Sequence, residues 1–229
     1  MSKLPNKFER LEKLIGKDNI NVLKNKTVLV LGVGGVGGYV VESLTRSGIG
    51  RLIIVDNDVV DETNLNRQII ALKSTIVLKK VDVLENRIKD INEECEVIKI
   101  SEFITPDNID ILFTEHIDYL VDACDYIDTK KSIIKECIKR NINFISSMGT
   151  AKKLDPSKLE ITDIRKTYND PLARILRKYI KDEKINKKID VLSSTELPRK
   201  TEGLGSSAFV PSSAGLLISS YIIKKMIDC

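Results

Sequence analysis

Cysteine and histidine are scarce in this 229-residue chain, which has four of the first and one of the second. Cys95, Cys124, Cys137 and Cys229 are scattered and form no C-x-x-C pair, so neither a disulfide framework nor a zinc knuckle is supported. No cysteine lies between Ala151 and Met226. Cys124 is flanked by Asp122 and Asp125, and negative neighbours disfavour a thiolate. Cys95 and Cys137 read as packing residues and Cys229 as a frayed terminus. His116 reads as a surface residue ahead of a strand, so there is no Cys/His couple. A mechanism that passes an acyl group through an enzyme thioester is therefore disfavoured.

Long apolar runs are missing as well. No stretch approaches the roughly 18 continuous apolar residues of a spanning helix. The segment 212–227 is interrupted by Ser219, Ser220, Lys224 and Lys225 and reads as a docked C-terminal helix. The opening MSKLPNKFER has no apolar signal core, so a cytoplasmic protein is expected. A hydrophobic fraction of 42% is ample for a packed core.

What is present is concentrated between Val28 and Gln68. Val28–Leu31 is an apolar, β-branched run of the kind that forms a buried parallel strand. Gly32, Gly34, Gly35 and Gly37 follow at once, and helical spacing begins at Val40, Val41 and Leu44. Glycines let a backbone turn tightly and approach a ligand, while a helix N-terminus directs free N–H groups at phosphate. Leu52–Val55 reads as a second buried strand, with Asp56 at its end placed to take ribose hydroxyls. Strand, glycine turn, helix, strand and acid together point to a nucleotide site.

An NAD-type Rossmann domain would look the same up to Asp56. It does not call for Asn64, Arg67 and Gln68 just beyond the strand, or for Lys79–Lys80 after them. With Asp56-Asn57-Asp58 and Asp122-Ala123-Cys124-Asp125, this block resembles the adenylating superfamily that includes the ThiF-type sulfur-carrier activators and the ubiquitin-activating enzymes. One departure is Val77, where that superfamily usually has a glycine. The resemblance implies ATP and Mg²⁺ as cofactors. Gly32, Gly34, Gly35, Gly37, Asp56, Asp58, Asn64 and Gln68 would bind nucleotide, Arg67 and Lys80 would handle phosphate, and Asp125 would hold the metal. It also implies a homodimer, in which Arg10 of KFERLEKLIG enters the partner subunit's site.

The residue types suit those roles. Arginine makes forked contacts to phosphate oxygens, and lysine supplies a point charge. Mg²⁺ prefers one or two carboxylates together with phosphate oxygens and water. Taken singly, each has an ordinary alternative: Arg67 and Lys80 as surface charges, Asp122 or Asp125 as a helix cap.

The second half narrows the resemblance. Phe8–Gly16, Arg46–Gly50, Thr105–Asn108, Leu154-Asp155-Pro156, Asp163-Ile164, Lys166-Thr167 and Asp170–Ala173 are similar to blocks of the bacterial tRNA threonylcarbamoyladenosine dehydratases, over roughly residues 8–226. That branch implies a tRNA substrate whose carboxylate is adenylated and then closed into a ring, and it leaves room for a sulfur-relay protein partner. From Ala151 to Lys200 there are fourteen Lys or Arg against eight Asp or Glu, a local +6 in a chain of +4. Such a segment suits a polyanion, although a solvated helix explains it equally well. Lys152, Lys153, Lys166, Arg174 and Lys178 are the candidate contacts. Two other readings stay open: a carrier-protein adenylyltransferase and a nicotinamide-dependent oxidoreductase.

The expected architecture is α/β, a Rossmann-like, mostly parallel sheet flanked by helices in one ThiF-type adenylating domain over 1–229. The nucleotide-binding half spans about 24–150 and a basic crossover segment about 151–210. A mobile crossover loop around 185–206 is expected to cover the site.

Overall fold

A computed structural model describes residues 6–227. Helices α1 (Glu9–Ile15) and α2 (Lys17–Lys24) lead into β1 (Thr27–Leu31), α3 (Gly37–Arg46), β2 (Arg51–Val55), α4 (Lys80–Ile91) and β3 (Glu96–Ile100). Then come β4 (Tyr119–Asp122), α5 (Ile127–Arg140), β5 (Asn143–Ser147), β6 (Leu159–Asp163), α6 (Pro171–Asp182), β7 (Asp190–Ser194) and α7 (Phe209–Met226).

The strands form one sheet in the order β3-β2-β1-β4-β5-β7-β6. All neighbouring pairs are parallel except β6 with β7. Strand periodicity divides the core between the two faces. Val28, Val30, Leu52 and Ile54 pack with α3, α4 and α7, whereas Leu29, Leu31, Ile53 and Val55 pack on the side of α5 and α6. Covering both faces explains why β1 and β2 read as unbroken apolar runs.

Helix α6 shows how local sequence sets an element. Asp170 accepts a hydrogen bond from the Ala173 N–H at 2.9 Å, and Pro171 occupies the first turn, where its missing N–H costs nothing. Ala173, Leu176 and Ile180 form its buried stripe. Full burial of Leu176 or Ile180 contributes roughly 1.5–3 kcal/mol each. Opposite α6, α7 lies along α3, where the Ser219 hydroxyl donates to the Val40 carbonyl at 3.2 Å.

The segment expected to be a loop over 185–206 differs from that expectation. β7 lies within it, hydrogen-bonded between β5 and β6, with Val191 and Leu192 fully buried. Its apolar run is only two residues long and ends in Ser193 and Ser194, which are themselves buried. Strand formation there depends on the sheet edge that β5 offers and on little in the local sequence. The remainder, 185–189 and 195–206, has no regular structure, as expected.

The departure at Val77 has a conformational cost. Val77 sits at φ +66°, in the left-handed region, and is 74% exposed. A β-branched residue is strained there by about 1–2 kcal/mol. Val77→Gly is therefore expected to raise stability by about 1 kcal/mol, after the added chain entropy of glycine is allowed for. The check is a higher urea midpoint with an unchanged m value.

Candidate active site

A cavity of about 390 Å³ opens at the C-terminal ends of β1, β2 and β4 and is lined by Leu31, Val55 and Ala123 from those ends. Strand order reverses between β1 and β4, the place where open α/β sheets bind ligands.

The glycine turn forms its floor. Gly32 has φ +82°, and a Cβ there would lie 2.8 Å from the Ala123 carbonyl oxygen. A Cβ on Gly37 would lie 1.8 Å from the Gly32 carbonyl oxygen, so only glycine permits the turn to close onto α3. Asp56 locks the turn to β2: its Oδ2 accepts from the Val33 N–H at 2.9 Å and its Oδ1 from the Asp58 N–H at 2.9 Å.

The segment after β2 is stapled locally. Asn64 Oδ1 accepts from the Asp61 N–H at 3.1 Å, and Asp61 Oδ1 accepts from the Thr63 N–H at 2.8 Å. The Thr63 hydroxyl and N–H hold the Asp61 carboxyl below the usual carboxylate range. Arg67 follows one short turn later. One guanidinium nitrogen donates to the Thr63 carbonyl at 2.8 Å and to Asn66 Oδ1 at 2.9 Å. Arg67 itself lines the cavity, as does Lys80 at the first turn of α4. The Lys80 ammonium is almost wholly buried, 2.7 Å from Asp58 Oδ2 and 3.9 Å from Asp56 Oδ1.

Gly32, Gly34, Gly35, Asp56, Asp58, Asn64, Arg67, Gln68, Lys80 and Asp125 all line this one cavity. Gly37 stands just behind the turn. Arg10 is exposed on α1 and does not line the cavity. Gln68 Oε1 is buried without a hydrogen-bond partner. A buried acceptor beside a cavity calls for a donor, from ordered water or from a ligand.

Sequence reasoning missed several lining residues: Phe103 and Tyr126, which pack ring to ring at 5.4 Å, and Glu102, Leu204, Ser206 and Pro211. They come from three separate loops and, for Pro211, the first turn of α7, and only the position of Phe103 and Tyr126 a few residues past strand ends hinted at them. Asn66 Nδ2 donates to the Ser206 carbonyl at 3.0 Å, which ties the crossover segment to the Arg67 loop.

Asp122 and Asp125 have separate duties, and neither caps α5, which lacks a side-chain cap. Asp122 is fully buried and meets the fully buried Lys130 ammonium at 2.9 Å. Lys130 also donates to Ser146 Oγ at 3.0 Å and to the Ser147 carbonyl at 2.9 Å, joining the ends of β4 and β5. Asp125 is exposed to the cavity and, among the described residues, takes part in no ion pair. No cluster of three or more metal-ligating side chains occurs among the described residues. A single free carboxylate fits Mg²⁺ carried on a triphosphate, which keeps most of its ligands as phosphate and water oxygens.

Cys124 also lines the cavity. Burial pushes its thiol well above the usual range, and the Asp122 charge adds to the effect, so it is a poor nucleophile at neutral pH. Cys95 and Cys137 are buried packing residues, and Cys229 lies outside the described residues. Lys153, a candidate polyanion contact, is instead buried: it donates to the Gly149 carbonyl at 2.8 Å and lies 3.6 Å from Asp170.

The fold and this cavity define a Rossmann-like nucleotide-binding protein. Residues 8–228 match the ThiF family, and the chain belongs to it. It is 44% identical to the tRNA threonylcarbamoyladenosine dehydratase of Bacillus subtilis (strain 168), over 96% of this chain and 94% of that protein. The Haemophilus influenzae protein of the same name is 38% identical over 88% of this chain and 81% of its own. The crystal structure of E. coli tRNA N6-threonylcarbamoyladenosine dehydratase, TcdA, in complex with ATP superposes with a TM-score of 0.92 at 33% identity, covering 97% of this chain and 94% of that one.

Proposed function

We propose that this chain is an ATP-dependent tRNA threonylcarbamoyladenosine dehydratase, working as one adenylating unit along its whole length. The observation that carries the proposal is the convergence of the glycine turn, Asp56, Arg67, Lys80 and Asp125 on one cavity, in a chain that matches ATP-bound TcdA nearly end to end.

In this reading Asp56 and Gln68 hold the ribose end of ATP, and the glycine turn with α3 faces its phosphates. A carboxylate oxygen of the threonyl group attacks the α-phosphorus. The bond to the β-phosphate breaks and pyrophosphate leaves. Arg67 and Lys80 balance the charge that builds on the phosphate oxygens. Asp125 would hold Mg²⁺, which when bound offsets triphosphate charge. A nucleophile of the substrate's own carbamoyl group then attacks the acyl carbon, loses its proton and expels AMP, closing a five-membered ring. The net change is loss of one water. Intramolecular attack supplies a large effective molarity, so no enzyme thiol is required. That agrees with the inert setting of Cys124.

The finer parts of the reading are a homodimer in which Arg10 reaches the partner's cavity, a sulfur-relay partner and a cytoplasmic setting. Among the described residues no helix is long and apolar enough to cross a membrane. The test is ATP–pyrophosphate exchange. Exchange that requires tRNA bearing threonylcarbamoyladenosine and no carrier protein is expected; exchange that appears only with a small carrier protein returns the chain to the adenylyltransferase alternative.

A further inference from the structure

A second cavity, of about 500 Å³, opens where α6 ends. It is lined by Arg165, Arg177, Lys181, Lys184 and Asn186, over the buried side chain of Ile180. Among the described residues no carboxylate lines it. Arg165 is occupied by its own structural bonds, to Asp163 at 3.0 Å and to the Ile185 carbonyl at 2.6 Å. Arg177 uses one nitrogen on the Thr167 carbonyl at 2.8 Å. Lys181 and Lys184 are exposed and, among the described residues, form no ion pair.

The cavity is continuous with a charged face. Arg174, Lys178 and Lys181 are all exposed and stand at i, i+4 and i+7 on α6, hence on one side of the helix. Among the described residues none of the three is paired with an acid. At its other end α6 starts at the rim of the nucleotide cavity: Asp170, its cap, accepts from the Gly149 N–H at 2.9 Å, and Thr150 and Ala151 line that cavity. Twelve residues of helix span roughly 18 Å between the two. A row of unpaired cations leading from the reaction centre into a cationic hollow suits an extended polyanion with regularly repeated charge. The acids nearest the row in sequence are Asp182, one turn beyond Lys178, and Glu183; both are exposed at the C-terminal end of α6 and, among the described residues, neither pairs with it.

We propose that the exposed face of α6 and the hollow at its C-terminal end dock the phosphodiester backbone of the tRNA, while the modified nucleoside sits in the nucleotide cavity. This rests on the function proposed above. The test compares the full-length parent with Arg174→Ala/Lys178→Ala/Lys181→Ala, using tRNA that bears threonylcarbamoyladenosine. Each lost phosphate contact flattens the plot of log affinity against log salt by about 0.7–0.9. The triple variant is therefore expected to flatten it by about 2–3 and to raise the KM for tRNA by roughly tenfold or more. Its kcat at saturating tRNA and its thermal stabilisation by ATP should stay as in the parent. Lys184→Gly, at a position whose φ of +54° suits glycine, should flatten the slope by one further contact. Unchanged KM and slope in an active triple variant overturn the docking surface alone, as does an equal loss of affinity for an acidic polypeptide competitor. A parent that does not dehydrate the tRNA at all overturns the functional reading and the docking surface with it.

Discussion

Lys130→Met is expected to lower stability by about 3–5 kcal/mol, more than any surface substitution in this chain. Lys130 and Asp122 are both fully excluded from solvent, 2.9 Å apart. Among the described residues, removing the ammonium leaves the Asp122 carboxylate buried with neutral donors alone, the Ser146 hydroxyl at 2.6 Å and the Cys124 N–H and thiol at 3.3 and 3.1 Å, and an uncompensated buried charge is costly. The double variant Asp122→Asn/Lys130→Met removes both charges and should recover a substantial part of the loss, because apolar or neutral replacement of a whole buried pair is often close to neutral. Urea unfolding of the two singles and the double gives the coupling directly. A single variant as stable as the parent would show that the pair contributes no net stability. The clasp also has a place in the site, since β4 continues into Ala123, Cys124 and Asp125 and β5 into the Gly149–Ala151 stretch beside the cavity.

Arg67→Ala is expected to have the opposite profile. Among the described residues the side chain anchors only to the Thr63 carbonyl and to neighbouring Asn66, so its loss should change stability by little. Its guanidinium is placed by those two bonds before any ligand arrives, and a preoriented charge at a developing anion is worth about 10²–10³ in kcat. Single-turnover adenylation at saturating ATP, with thermal unfolding alongside, separates the two quantities. Full-rate adenylation by a folded Arg67→Ala protein would remove Arg67 from the chemistry.

Much of this was readable before the structure, for identifiable reasons. β1, β2 and the glycine turn were legible because a parallel strand buried on both faces must be apolar throughout and because Gly37 leaves no room for a Cβ. The Asn64–Gln68 and Lys80 positions were legible through their order along the chain. β7 was not, since its two apolar residues carry no period and its burial is supplied by neighbours distant in sequence. Lys130 and Lys153 were missed for a shared reason. A lysine in a charged stretch reads as solvated, and only the structure places Asp122 and Asp170 opposite these two inside the protein. The hint available was the buried strand end at Asp122, which required a countercharge from somewhere. Val77 was noticed as a departure, yet its left-handed φ shows that the turn keeps the glycine geometry without the glycine.

The most direct measurement is the mass of the modified nucleoside after tRNA bearing threonylcarbamoyladenosine is incubated with the protein and ATP-Mg²⁺. Loss of one water that requires ATP, and that Arg67→Ala or Asp125→Ala abolishes in a folded protein, is the expected result. An unchanged nucleoside mass under conditions in which the parent binds both ATP and tRNA is incompatible with a dehydratase.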